Sequence, residues 1–311
     1  MDEKTDGGLG RRELLRCMAW AGTGAVWSFA GGVAGSVLLD QAAAAPARAA
    51  GFSFVQVSDS HIGFARPPNP DARATLAEAV AKIRALPEPP AFILHTGDVS
   101  QLSRPAEWDD ADQILAGAGA PVFHIPGEHD MLDEANGAAF LARYGKGAKG
   151  DGWFAFDHGG VHFVGLVNVK ELRAGGMGRL GPEQLAWLKN DLERRPASTP
   201  LVVFAHIPLW TLYAEWGWGT DDGAEALKLL ARFGSVTVLN GHVHQLAQTV
   251  EGTITFHTAR STAFPQPAPG TAPAPGPLVV PAERLRDTLG LRSVRFTRGQ
   301  GPIALVDATL A

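Results

Sequence analysis

Phe52-Ser53-Phe54-Val55-Gln56-Val57-Ser58-Asp59-Ser60-His61 is the stretch that decides how this chain is read. Its first six residues are apolar and β-prone and read as a strand. The strand stops at a carboxylate and an imidazole two residues apart. Four later apolar runs end the same way: 91–95 before Gly97-Asp98, 122–125 before Gly127-Glu128-His129-Asp130, 201–205 before His206, and 236–239 before Gly241-His242-Val243-His244. In open α/β sheets the carboxyl ends of the strands form the ligand crevice, so clusters spread over nearly the whole domain are expected to converge there.

Between these runs lie amphipathic stretches that read as helices, 71–86, 106–115, 183–192 and 224–233, with Pro182 suited to a first helical turn. A further strand is expected at 161–167. The alternation argues a layered α/β sandwich rather than a bundle or a barrel. After Asn240 the pattern changes to an expected hairpin, 245–250 with 253–257 turned at Glu251-Gly252, and a final pair, 293–296 with 303–306. These four strands are expected to form a second, antiparallel-rich layer. The stretch 261–281 is rich in Pro and Ala and reads as a long surface loop.

Of the 311 residues, 45% are hydrophobic and 19% charged, and the formal net charge is -5. That balance suits a globular domain and gives no basic face for nucleic acid, so a small-molecule substrate is the better expectation. The single cysteine, Cys17, excludes an internal disulfide. The N-terminus runs from Arg11-Arg12-Glu13-Leu14-Leu15-Arg16 into an apolar, Gly/Ala-rich run, 17–39, and then into small residues up to Ala49. The paired arginines resemble a twin-arginine export signal, with Gly10 and Leu14 departing from its usual residues. Residues 1–49 are therefore expected to be a signal handed to the twin-arginine machinery, with cleavage near Ala49, and residues 50–311 one catalytic domain. The expected location is periplasmic or otherwise extracytoplasmic. An uncleaved membrane anchor is the alternative, since the apolar run is long enough to span a bilayer.

The five clusters supply carboxylates and imidazoles without thiolates, a donor set for Zn, Mn or Fe. Asp59 with His61, and His242 with His244, are two apart, so on extended backbone each pair faces one side. The ordered series D-x-H, G-D, G-x-H-D, H and G-H-x-H resembles the signature of the calcineurin-like metallophosphoesterases, in particular the class III cyclic-nucleotide phosphodiesterase-like branch, and spans residues 57–244. The resemblance implies a four-layered α/β/β/α sandwich around two metals. It implies Asp59, His61 and His244 on the first ion, Glu128, His206 and His242 on the second, and Asp98 bridging them. His129 would stand beside the substrate as acid or charge stabiliser, oriented by Asp130.

Two divalent ions about 3.5 to 4 Å apart can hold a bridging hydroxide at neutral pH, which makes it a nucleophile for phosphate mono- or diesters. The family usually has Asn at the position of Glu128. The extra charge allows a mixed pair of Fe(III) with a divalent ion, or a tighter and slower second site. The alternative reading is a metal-binding or interaction protein that kept this scaffold with turnover lost or specialised through Glu128. His95, His124, His158, His162 and His257 are expected to be structural or to support the ligands from behind. Segment 210–218 and the stretch Phe264-Pro265-Gln266-Pro267 are candidate aromatic wall and lip of the cleft, and Arg260 a candidate phosphate clamp.

Overall fold

The computed structural model describes residues 25–30, 33–38, 51–299 and 303–311. The chain divides into two compact units, residues 1–49 with 299–302, and residues 50–298 with 303–311. In the first, Ala25–Ala30 (β1) pairs antiparallel with Val33–Leu38 (β2). The paired arginines and the expected cleavage point at Ala49 lie outside the described residues. Among the described residues, no helix is long and apolar enough to cross a membrane.

The second unit is built on two sheets. Gly51–Val57 (β3), Ile93–Thr96 (β4) and Val122–Ile125 (β5) run parallel. Phe154–His158 (β6) and Val161–Gly165 (β7) form a hairpin, and Leu201–Ala205 (β8) and Val236–Asn240 (β9) continue from β7 in parallel. The C-terminal strands do not form a layer of their own. Gln248–Glu251 (β10) and Ile254–Thr258 (β11) extend the second sheet from β9, whereas Gly290–Thr297 (β12) and Ala304–Thr309 (β13) extend the first from β3. The resulting orders are β13-β12-β3-β4-β5 and β10-β11-β9-β8-β7-β6. Hairpin pairing was legible in the sequence; which open sheet edge each hairpin would join was not.

Strand alternation sorts the core into layers. Phe54 of β3, Phe163 of β7 and Val202 and Phe204 of β8 meet between the sheets. Val55 and Val57, on the opposite face of β3, pack under Leu76, Val80, Trp108 and Leu115 of the helices Ala72–Arg84 and Pro105–Ala116. Val203 and Ala205 of β8 likewise meet Leu188, Leu192 and Leu230 of the helices Pro182–Glu193 and Gly223–Leu230. This is the α/β/β/α sandwich.

Local chemistry fixes the helix starts. The Asp71 side chain accepts from Ala74 N at 3.0 Å, and Glu107 accepts from Leu102 N at 2.8 Å behind Pro105 at the first turn. Among the elements without a counterpart in the expectations above are the short helix Ala138–Tyr144, confined between Gly137 and Gly145, and β6, whose residues are mostly half-buried. Neither has the length or contrast that periodicity needs. Residues 259–281 carry no helix or strand, as their composition suggests.

Candidate metal centre

All seven expected ligands arrive at one end of the sandwich, in the loops that follow β3, β4, β5, β8 and β9. The backbone there is forced. Asp59, His61, Asp98, His242 and His244 have φ between 42° and 68°, a left-handed conformation that costs on the order of 1–3 kcal/mol per non-glycine residue. The two-apart pairs therefore do not lie on extended backbone. Asp59 and His61 reach one cluster together, but His242 and His244 turn into different ones. Gly127 is required by crowding: a Cβ there would run into Asp98 Oδ1 and the Asp98 amide.

One group comprises Asp59, His61 and His244, a second Glu128, His206 and His242, and Asp98 joins His61 and His129 in a further group and Asp59 and His206 in another. Asp98 Oδ2 stands 3.4 Å from His61 Nε2 and 3.5 Å from His206 Nε2, which puts one carboxylate between the two triads. In the first triad His244 Nε2 is 3.3 Å from Asp59 Oδ1 and 3.2 Å from His61 Nε2. In the second, Glu128 Oε2 is 2.8 Å from His206 Nε2 and Oε1 is 2.9 Å from His242 Nδ1.

The surroundings present these atoms as ligands. His206 Nδ1 donates to Thr96 O at 2.7 Å and His244 Nδ1 to Phe264 O at 2.7 Å, so each ring turns its Nε2 lone pair inward. A chain of donors, Gln56 Nε2 to Thr96 Oγ1 to Ser58 Oγ to Asp59 Oδ2, fixes the Asp59 carboxylate, and His242 N adds a bond to Oδ1 at 3.1 Å. Glu128 Oε2 and His206 Nε2 are buried, face each other, and have no aligned hydrogen-bond partner. Two such atoms aimed at a shared point are what cation ligands look like, and the oxygen and nitrogen donors fit two such ions.

The charge balance agrees. Burial works against ionisation of Asp59 and Glu128, yet the surrounding imidazoles, His244 first for Asp59 and His242 first for Glu128, hold both carboxyls below their ordinary range. Burial works against a charged His206, but Asp98 and Glu128 raise its pKa well above the usual value. The cluster thus demands positive charge, and a bound cation would take the place of that proton. Burial brings His61 down to about 3, which keeps its ring neutral and able to ligate.

His129 lines the cleft above the cluster, its ring 4.8 Å from that of His61. Its Nδ1 donates to Gln101 O at 2.8 Å. The expectation that Asp130 orients this ring needs correction. The buried Asp130 carboxylate accepts from Val99 N, Ser100 N, Ser100 Oγ, Trp108 Nε1 and Gly127 N, at 2.7 to 3.2 Å, which leaves it engaged away from His129. It staples the Asp98 loop to the Glu128 loop. Gln101 holds the imidazole instead, and nothing in the sequence marks that residue.

Arg260 is not a phosphate clamp, because its guanidinium caps the carbonyls of Asp287 and Thr288. His95 sits buried behind the ligands with Nε2 2.8 Å from Ser60 Oγ, and His124 stacks on Tyr144. His162 is held between Asp157 and Asp191. Trp216 and Trp218 line the cleft, whereas Trp210 packs on Phe256. Phe64, Arg66 and Phe264 line it as well, none of which the motifs select, apart from Phe264 as an expected lip. Gln266, the other lip residue, donates from Nε2 to His242 O at 2.8 Å and accepts from Gly276 N at 3.0 Å, tying the rim to a ligand loop. The cleft measures about 230 Å³, and its floor is the ligand cluster.

The calcineurin-like phosphoesterase family model matches residues 52–246. A probable cyclic nucleotide phosphodiesterase of Rhodopseudomonas palustris is 28% identical over 197 residues, covering 62% of this chain and 71% of that protein. A glycerophosphodiester phosphodiesterase of Enterobacter lignolyticus is 28% identical over 204 residues, covering 63% and 71%. Among solved structures, a purple acid phosphatase from yellow lupin superposes with a TM-score of 0.61 at 14% identity, over 86% of this chain and 52% of that one. A dimetal phosphatase from Danio rerio gives 0.58 at 15% identity, over 84% and 99%. The chain belongs to the calcineurin-like phosphoesterase family and is a metal-dependent phosphoester hydrolase.

Proposed function

We propose that this enzyme hydrolyses phosphate diesters, and monoesters less readily, at a dinuclear centre, and that it works outside the cytoplasm after export by the twin-arginine pathway. The observation that carries the dinuclear reading is Asp98 Oδ2, 3.4 Å from one triad and 3.5 Å from the other. Asp59, His61 and His244 would hold one ion, Glu128, His206 and His242 the second, with Asp98 shared. When bound by these residues, two divalent ions would activate water near neutral pH and neutralise phosphoryl oxygens.

The chain's own groups do the remaining work. His129, anchored through Nδ1, is placed over the cleft to give a proton or positive charge to the departing oxygen. Gln101 fixes that ring. The three carboxylates and four imidazoles keep the floor of the cleft rigid, so the ester need not reorganise them. The diester preference draws on two relatives that are diesterases by name, and on a groove that adjoins the cleft and offers room for a second alcohol. Export rests on Arg11-Arg12 and the apolar run that follows them.

Hydrolysis of matched chromogenic mono- and diesters by purified protein, with and without chelator, tests the reading. Diester turnover that chelation abolishes and added Mn or Zn restores is expected. Turnover insensitive to chelation would contradict it.

A further inference from the structure

The walls of the cleft carry one fixed positive charge. Arg66 is the only lysine or arginine that lines it among the described residues, and the two carboxylates that share the lining, Asp98 and Glu128, both belong to the ligand cluster. Apart from His129, the rest of the wall is aromatic or neutral: Phe64, Trp216, Phe264, Gln101 and Gln266. Cations held by the cluster would draw the ester phosphate to the floor. A charge on the wall therefore acts on whatever the phosphate carries with it.

Arg66 is exposed, but its position is built. Its guanidinium carbon lies 5.5 Å from the centre of the Phe64 ring. Phe64 packs on Phe264 at 4.4 Å, and Phe264 on the ligand rings of His61 and His244 at 4.8 and 4.5 Å. One continuous stack thus runs from the metal ligands to the guanidinium. The loop is pinned from below by the buried Asn69, whose Nδ2 donates to Ala263 O at 2.8 Å and to Thr75 Oγ1 at 2.9 Å, while Arg66 itself bridges to Asn69 across the turn. No carboxylate among the described residues neutralises Arg66; its contact is the Phe64 ring. Phe64, Arg66 and Gln101 also line the adjoining groove with Gly63, Ala65 and Leu102, so Arg66 stands on the ridge between the two hollows.

We propose that Arg66 is a specificity-determining residue that binds an oxyanion on the part of the ester remote from the metal cluster, so that the preferred substrates are phosphodiesters whose second alcohol carries a carboxylate or a further phosphate. This rests on the diesterase reading above. A guanidinium offers a planar, two-pronged donor that matches carboxylate and phosphate oxygens. With no acid on the wall outside the ligand cluster, its aromatic faces are what would attract a cationic alcohol, and the guanidinium over Phe64 opposes them. Because the group is exposed, solvent and salt screen it, and the effect is several-fold rather than many orders of magnitude.

The test compares 4-nitrophenyl phosphodiesters whose second alcohol is 2-carboxyethyl, methyl or 2-trimethylammonioethyl, on wild type, Arg66→Gln, Arg66→Lys and Arg66→Glu. In wild type kcat/KM falls in that order. Arg66→Gln lowers the ratio of kcat/KM for the carboxyethyl over the trimethylammonioethyl ester about tenfold, mostly through KM; Arg66→Glu inverts it, and Arg66→Lys keeps most of it. The same order is expected for equilibrium binding of phosphonate analogues, read from the fluorescence of Trp216 and Trp218. A ratio that moves less than twofold in Arg66→Glu, with the wild type turning over all three esters, overturns the proposal and leaves the diesterase reading standing. Absence of metal-dependent turnover of any ester by the wild type overturns both.

Discussion

The two ligand triads differ in how they meet solvent. Asp59, His61 and His244 are 0%, 1% and 2% exposed, whereas the Glu128 side chain is 27% exposed and that of His242 12%, with His206 buried behind them at 0%. The closed triad is over-determined. A donor relay fixes Asp59, the Phe264 carbonyl fixes His244, and Phe264 covers two of the rings. Two residues of each triad line the cleft, His61 and His244 from the closed one and the more exposed Glu128 and His242 from the other, and Glu128 Oε2, 2.8 Å from His206 Nε2, makes no aligned hydrogen bond. On the proposed dinuclear reading the difference would separate two tasks: the closed side would hold its geometry, and the open side would exchange ligands with the substrate. Asp98 belongs to both.

The largest effect is therefore expected at Asp98. Asp98→Ala removes the shared ligand and should abolish turnover by more than the roughly 10² to 10⁴ that loss of an acid catalyst costs, with metal content falling on both sides. If the substitution emptied one site and left turnover within tenfold of wild type, the two triads would be independent and the comparison would break.

His129 lies over the cleft and outside the triads as assigned, so it separates catalysis from metal holding. His129→Gln should lower kcat by roughly 10² to 10⁴ while the protein retains its full metal complement. Loss of metal in this variant would make His129 a ligand and redraw the open side.

A smaller effect concerns what lies behind the ligands. Burial pushes His95 down to about 3 and His124 down to about 4 from an ordinary 6.5. The unfolded chain then binds protons that the fold refuses, so stability is complete above about 6.5 and is lost as pH falls toward 4 and below. Thermal midpoints of the metal-free protein against pH should show this slope, and His124→Phe, which keeps the stack on Tyr144 at 4.1 Å, should flatten it. An unchanged slope would mean that His124 is proton-accessible in the native state.

Much of this was legible in the sequence for one reason: a strand that ends in Asp or His must place that side chain at the crevice. The residues Asp59, Asp98, Glu128, His206 and His242 announce themselves that way. What stayed illegible depends on which groups meet in space. Asp130 follows His129 directly, yet five donors, four of them from two other segments, take its carboxylate, and Gln101, which no pattern marks, takes the imidazole. Arg260 carries the right charge and spends it on two carbonyls, while Arg66, in an unremarkable loop, reaches the cleft. Strand pairing at the C-terminus followed the same rule: β10 with β11 and β12 with β13 were readable as hairpins, but each joined a different sheet.

The most direct test of the two-triad account is stepwise removal and return of metal, with the content of each state read by mass spectrometry and its turnover measured. The account predicts two ions per chain, one released readily from the open side with loss of turnover, and one held by Asp59, His61 and His244 until the protein is unfolded or strongly chelated. A single ion per chain that supports full turnover would contradict it.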